Sequence, residues 1–552
     1  MHPSLDCVVV GFNDQPLGPL LAEAARRRHE SGLYRVLRLE TVPLGSERVH
    51  YMQFLRRALR AGGRDYGALD WTEVPSLTLC YLTSYLRRRG FSVDFVNSFQ
   101  GESERLTRML GHSPRLVAIP TTLYTADEPI IEIVRGIRDR SPGSHIVVGG
   151  PHILNLSSRL SHDAFVARLR RIGADAYVLE GQGEYTLARL LSATRQSLGV
   201  PVGTANLIVR DADGTVRFGP REVEDNDLDA DAPDWTGLAE RMTVPTAYIR
   251  TARSCAFRCA FCSYPSLGGP LRFMHEDTVE QQLRSLRAIG VRYLGIVDDT
   301  FNVPSQRFKR ICEMLRRHGF QWVSYFRCQE ADEDAVDRMA ESGCLGVFLG
   351  IESGDQGVLQ RMNKRADVSV YRRMLRRLNE AGIWTYASLI VGFPGETGET
   401  IARTLEFLED SRPTFFRPEL FYFDSSPQVP ISRDAIHYQL TGSGYGWRHA
   451  TMEWPEACEW ADFLAVQATG SVLLPSNGFN LWAVPYLLAK GLTLHEIKDF
   501  ARVAHRAIVS DLIGPSSNAS SKHGAGVSSL VEAHSDSHGP LDPNSSDPGC
   551  IV

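Results

Sequence analysis

No apolar run in the 552 residues approaches the roughly 20 positions that a helix needs to cross a bilayer. The start, Met1-His2-Pro3-Ser4-Leu5-Asp6, lacks the basic and apolar regions of a signal peptide. Both absences predict a cytoplasmic protein with no membrane partner. Neither sign of charge is in excess: 60 Lys+Arg against 65 Asp+Glu gives a net charge of −5, which excludes a nucleic-acid protein held by a basic surface. With 43% hydrophobic and 23% charged residues, a largely disordered chain is excluded as well. There is no internal repeat. Cysteine is sparse, and a disulfide framework is not expected in a cytosolic chain. Cys7, Cys80, Cys312, Cys328, Cys344, Cys458 and Cys550 lie far apart, whereas Cys255, Cys259 and Cys262 fall within eight residues.

At about 150 residues per domain, the length predicts three or four domains. A buried strand running into a loop over Asp6–Asp14, and strand-like runs at Phe91–Val96, Arg115–Ile119, His145–Val148 and Asp175–Leu179, alternate with helical patterns such as Leu77–Arg89 and Pro129–Arg140. That alternation predicts a parallel, doubly wound Rossmann-like sheet over 1–225, with its ligand crevice beyond the strand C-termini. Small residues crowd those ends: Thr121 and Thr122, Gly149 and Gly150, and Gly181 and Gly183. The acidic stretch Glu224–Asp234 reads as a linker. From about 240 to 430, strands at Thr246–Arg250, Tyr293–Val297, Val323–Arg327, Gly346–Ile351, Thr385–Val391 and Thr414–Leu420 predict a (βα)6 partial barrel with its chemistry at the strand C-terminal mouth. Residues 431–512 read as a mainly helical capping region, and 513–552, rich in Ser, Gly, Pro and Asn, as a disordered tail.

The three clustered cysteines follow the first barrel strand, so their thiolates are expected at the mouth. Structural zinc takes four Cys or His ligands, and neither a second CxxC nor an HxxxH follows. Three thiolates instead suit a 4Fe–4S cluster with one iron open to an exogenous ligand. Cys255-x3-Cys259-x2-Cys262, with Phe261 before the last cysteine, resembles the radical S-adenosylmethionine signature. The resemblance implies that the amino and carboxylate groups of S-adenosylmethionine chelate the open iron. It also marks Gly350, Glu352 and Ser353 as a ribose-side segment, and Gly392 and Pro394 as part of an adenine-side turn. The superfamily's GGE is missing from the second barrel strand. Asp298-Asp299-Thr300-Phe301 stands there and resembles cobalamin-linked members, which makes Asp298 a cofactor-side candidate.

A doubly wound domain before such a barrel resembles the cobalamin-dependent methyltransferases of the superfamily. By that analogy Thr121, Thr122, Gly149, Gly150, Gly181 and Gly183 are assigned to cobalamin. The DxHxxG motif is absent, so no axial imidazole is expected, although His152 follows Gly149-Gly150-Pro151. Asp94–Phe99, Thr121–Tyr124, Asp298–Pro304, Tyr325–Gln329 and Trp447–Met452 resemble the PhpK-like P-methyltransferases of phosphinothricin (bialaphos) antibiotic biosynthesis. That resemblance implies abstraction of a P–H hydrogen from an N-acetyl-demethylphosphinothricin-type phosphinate by a 5′-deoxyadenosyl radical. Methylcobalamin then supplies the methyl group, and an electron donor of flavodoxin or ferredoxin type serves the cluster. Arg327 and Arg417 are the expected catalytic anchors of the anionic substrate, with Arg448 and His449 closing the mouth. Other readings share these features: a C-methyltransferase acting on a peptide or antibiotic intermediate, a cobalamin-linked ring-rearranging or cyclising enzyme, and a non-enzymatic cobalamin or iron–sulfur sensor.

Overall fold

The computed structural model describes residues 5–14, 31–64, 69–196, 203–476 and 478–514, together with 18, 21, 66 and 67. The tail from 515 onward, including Cys550, lies outside the described residues. Among those described, no helix is long and apolar enough to cross a membrane.

The first sheet contains β1 (Cys7–Phe12), β2 (Val93–Ser98), β3 (Leu116–Pro120), β4 (His145–Gly149), β5 (Ala176–Val178), β6 (Leu207–Arg210) and β7 (Val216–Phe218), in the order β2-β1-β3-β4-β5-β6-β7. The first five are parallel and the last two antiparallel. The run Cys7-Val8-Val9-Val10 is apolar throughout because both faces of the sheet are covered. Val8 and Val10 enter one core, while Cys7 and Val9 enter a second that is continuous with the rest of the molecule. An order of 2-1-3-4-5 puts the topological switch point between β1 and β3.

Between β1 and β2 the chain leaves this sheet. Helices Gly32–Glu40 and Tyr51–Ala61, joined by the hairpin Thr41–Leu44/Glu47–His50, pack on the helical region near the C-terminus instead. Arg38 and Arg48 both reach Asp511, at 3.0 and 2.8 Å. The domain expected over 1–225 is therefore interrupted. The acidic stretch after β7 also differs from a free linker, because it forms a packed seam. Glu224 accepts from Tyr185 N (3.0 Å) and Thr186 N (2.9 Å), supplying acceptors to N–H groups that open the helix Glu184–Arg195. Trp235, just beyond the stretch, is 2% exposed.

The second sheet is the partial barrel: β8 (Thr246–Ile249), β9 (Tyr293–Ile296), β10 (Gln321–Phe326), β11 (Cys344–Glu352), β12 (Trp384–Val391), β13 (Phe415–Leu420) and β14 (Val472–Leu473), all parallel and in chain order. The six expected strands are present, and the two-residue β14 extends the edge. Tyr248, Tyr325, Phe348 and Tyr386 project from the concave face around Trp482, whose ring stacks on Phe348 at 4.8 Å. A Cβ at Gly295 would lie 2.5 Å from Tyr248 and 3.1 Å from Trp482, so this floor requires a glycine. The aromatic plug fills the lower barrel and leaves the strand C-termini as the open end.

Candidate active site

The cysteine loop begins directly after β8. Ala252–Arg253 pairs antiparallel with Arg272–Phe273 and closes the loop that carries the three thiols. Asp298, at the end of β9, accepts from Thr251 N (2.6 Å), Thr251 Oγ1 (2.5 Å) and Ala252 N (3.0 Å). Arg307 donates to Thr251 O and Met274 O, at 2.9 and 3.0 Å. The turn that ends the short helix Gln356–Arg361, after β11, grips the far side of the loop: Ala260 N donates to Met362 O (2.8 Å) and Asn363 Nδ2 to Arg258 O (2.8 Å). Arg327 stacks on Phe257 at 3.6 Å and donates to Lys364 O. The Lys364 ammonium then pairs with Glu352 at 2.6 Å. Sequence reasoning missed Met362, Asn363 and Lys364, which lie in a turn without any motif.

The three thiols share one loop beyond the end of β8. Among the described residues, no three His, Cys, Asp or Glu side chains converge closely enough to hold one metal ion. A cubane binds its thiolates at separate corners, so close convergence is not what it needs. Burial raises the Cys255 thiol, with Asp299 and Cys259 adding to the effect. Cys262 is pushed up to about 11, by burial first and then by Cys259, Cys255 and Asp299. A metal that takes the place of a thiol's proton would offset the burial that raises Cys255 and Cys262. Cys328 and Cys344 are buried elsewhere in the core, as expected of packing thiols.

Of the expected S-adenosylmethionine segments, the one after β11 is tied to this loop through Lys364, which pairs with Glu352 and lies 5.7 Å from the Phe261 ring. Glu352 has a left-handed φ of 65° and is 7% exposed. A Cβ on Gly350 would lie 2.5 Å from Glu352 Oε1 and 2.7 Å from Lys364 Nζ. Ser353 is fully buried, and its Oγ accepts from Asp355 N at 3.1 Å, which makes it a structural residue. The turn at 392–396 is held from both sides. Gly392 N donates to Glu396 Oε2 (2.5 Å), and His449 Nε2 donates to Gly392 O (3.0 Å). Pro394 is buried within it, and the Arg361 side chain lies against Gly395. Glu396 is 1% exposed, and burial pushes it up to about 8.

Asp298 differs from its expected role, because its carboxylate is consumed by the backbone of the cysteine loop. It is a positioning residue. The neighbouring Asp299 reaches solvent in the mouth yet is surrounded by protein; burial, then Asp298, pushes it up to about 7. The two anion anchors also need correction. Arg327 is 8% exposed and committed to Phe257 and Lys364 O. Arg417 is 1% exposed and shared between Glu40 (2.9 Å) and Glu419 (3.4 Å). The Arg417 guanidinium is paired with two carboxylates, although its Nη1 finds no hydrogen-bond partner, whereas Arg327 has a backbone carbonyl and a ring as partners and keeps an unpartnered Nε. Arg448 is exposed and bonds Thr441 Oγ1 at 3.3 Å.

The first sheet presents its C-terminal edge to the same loop. Thr121 is fully buried, and its N and Oγ1 both donate to Gly149 O. Gly150 has φ +110° and touches Thr121. A Cβ on Gly149 would lie 2.8 Å from Val178, and one on Gly183 3.0 Å from the same side chain. Protein packing thus accounts for these three glycines. Gly181 is set against the other half of the molecule, where a Cβ would be 2.9 Å from Leu267 O, just past the cysteines. Thr122 and Leu123 face outward at the switch point, Leu123 with 45% exposure. His152 is unavailable as an axial imidazole at Nε2, which bonds Asp127 at 2.8 Å. Thr122 Oγ1 lies 3.1 Å from Thr78 Oγ1, and the exposed Leu123 beside the switch point gives an apolar side chain compatible with a corrin ring.

Fold and site together define the class. The radical SAM superfamily model matches residues 249–408, and the B12 binding domain model matches residues 70–191. The chain therefore carries a radical SAM domain and a B12-binding domain, which imply a 4Fe–4S cluster, S-adenosylmethionine and cobalamin as cofactors. The second match begins only after the excursion at 32–61.

Particular relatives follow. The chain is 26% identical over 381 residues to the anaerobic magnesium-protoporphyrin IX monomethyl ester cyclase of Rubrivivax gelatinosus, covering 65% of this chain and 66% of that protein. It is 26% identical over 353 residues to an uncharacterized methyltransferase of Pyrococcus horikoshii, covering 61% and 73%. The chain thus spans about two thirds of the length of these relatives. In fold it is similar to the radical S-adenosylmethionine methyltransferase TsrM from Kitasatospora setae, whose structure holds cobalamin and a [4Fe-4S] cluster. The TM-score is 0.57 at 19% identity, covering 79% of this chain and 96% of that one. The cobalamin-dependent S-adenosylmethionine radical enzyme OxsB gives 0.51 at 18% identity, covering 78% and 55%.

Proposed function

We propose that the protein is a cobalamin-dependent radical S-adenosylmethionine methyltransferase whose acceptor is the phosphorus of a P–H phosphinate of the N-acetyl-demethylphosphinothricin type. One observation carries the methyl-transfer reading: the crevice loop of the first sheet, at Gly181, abuts the barrel at Leu267, immediately beyond Cys262. A methyl carrier and a hydrogen-abstracting centre must serve one substrate, and a close approach between the two loops supports that reading. When bound, cluster and S-adenosylmethionine supply hydrogen abstraction, and cobalamin supplies the methyl group. The chain's own part is to hold the cysteine loop through Asp298, Arg307 and Arg327 and to bind the substrate. An electron donor of flavodoxin or ferredoxin type completes the system.

The choice of phosphorus rests on the family strings at Asp298–Pro304 and Trp447–Met452. A carbon acceptor is the second reading. It is favoured by an aromatic barrel floor and by the engagement of both Arg327 and Arg417 with protein groups. Anaerobic turnover with a demethyl phosphinate, followed by phosphorus NMR, separates the two. Loss of the P–H coupling with gain of a P–CH3 signal, alongside 5′-deoxyadenosine and S-adenosylhomocysteine, is the expected result. An unchanged phosphorus spectrum, with methylation of a carbon acceptor, establishes the second reading instead.

A further inference from the structure

One side-chain pair joins the loop after β5 to the strand that opens the cysteine loop. Arg253 stands two residues before Cys255 and is 4% exposed. Its Nη1 donates to Gln182 Oε1 (2.6 Å) and Asn226 O (2.9 Å), and its Nη2 donates to Asp225 Oδ1 (2.6 Å). Gln182 is fixed in turn: Nε2 donates to Glu224 O at 2.6 Å, and Oε1 also accepts from Asn226 N at 2.8 Å. Asn226 Nδ2 reaches Glu184 at 2.7 Å, at the start of the helix after the loop. On the other side of the cysteines, Gly181 meets Leu267 O. The crevice loop is therefore keyed to both ends of the cysteine loop, by a charged fork before it and a backbone contact after it.

We infer that Arg253 and Gln182 form a positioning clamp that fixes the spacing between the cobalamin crevice and the iron–sulfur loop. The inference deepens the proposed function and rests on its two cofactor sites. A guanidinium suits this task because its planar fork meets three acceptors in one fixed geometry, which an ammonium does not reproduce. The guanidinium is buried while Gln182 is half-buried, so the bond between them is less open to water than a surface ion pair. Fixed spacing matters because a reacting geometry misplaced by about 1 Å can cost on the order of a hundredfold in rate. The clamp touches neither the cysteines' sulfurs nor the switch point, so its expected effect falls on the distance between the cofactors and not on their retention.

The test uses reconstituted holoenzyme reduced with dithionite, in which the cluster and cob(II)alamin are both paramagnetic. Pulsed EPR then reads the distance between them. The unmodified protein should give one narrow distance. Gln182→Ala should retain its iron, cobalamin and melting temperature yet lose that single narrow distance. An unchanged narrow distance in Gln182→Ala overturns the clamp. Loss of cobalamin from Gln182→Ala overturns it too, because the residue then serves cofactor binding. If the unmodified protein lacks either paramagnet, the cofactor reading itself fails and takes the clamp with it.

Discussion

Asp298 and Asp299 are neighbours at the end of β9 and do different work. Asp298 faces inward and accepts two backbone N–H groups and a hydroxyl at the root of the cysteine loop, while Asp299 faces the mouth. Leaving a buried N–H without an acceptor costs about 1–3 kcal/mol for each group. Asp298→Ala should therefore lower unfolding stability by about 3 kcal/mol in a denaturant titration, and Asp299→Asn should change it by less than about 1 kcal/mol. The cysteines divide in a similar way. Replacing Cys255, Cys259 or Cys262 with Ala should abolish iron incorporation after anaerobic reconstitution. Cys328→Ala should leave the iron content intact, because burial pushes that thiol up to about 12 and keeps it protonated.

The turn at 392–396 shows what an element adds to its residues. Gly392 has φ +90°, and a Cβ there would lie 2.4 Å from the Trp447 ring. Gly392→Ala combines a strained backbone with overpacking, each costing about 1–3 kcal/mol, so a clear fall in melting temperature is expected. Within the same turn, Glu396 holds its proton up to about pH 8 in the folded protein, against 4.5 as the ordinary value. The unfolded chain releases that proton earlier. Its contribution to stability is therefore full below about pH 4.5 and is lost as pH rises through about 8. Glu396→Gln should remove this component, worth a few kcal/mol at most, and flatten the decline in melting temperature between pH 5 and 8.

Elements of this kind also mark how far the sequence could be read. Strand positions were legible because runs such as Cys7–Val10 and Gly346–Ile351 are apolar throughout, as strands covered on both faces must be. The cysteine triplet was legible because its ligands are adjacent in sequence. Lys364, Met362 and Gln182 were not, since their roles arise from contacts across loops that no local spacing encodes. Arg327 and Arg417 were misjudged for a related reason. Strand-end arginines look free until their buried partners, Lys364 O, Glu40 and Glu419, are known. The acidic stretch after β7 resembled a linker because its partners, the start of the helix Glu184–Arg195 and Arg253, lie elsewhere in the chain.

At the scale of the whole molecule, two parallel sheets turn their C-terminal edges toward one loop. The excursion at 32–61 and the C-terminal helices pack against β13 and the edge strand β14, and Glu40 reaches Arg417 on β13. Every functional statement made for the protein depends on what the three sulfurs of that loop hold. The most direct measurement is EPR of the anaerobically reconstituted, dithionite-reduced protein, recorded before and after S-adenosylmethionine is added. A reduced 4Fe–4S signal that shifts on addition is the predicted result. Zinc in place of iron, or an iron signal indifferent to S-adenosylmethionine, would contradict the account.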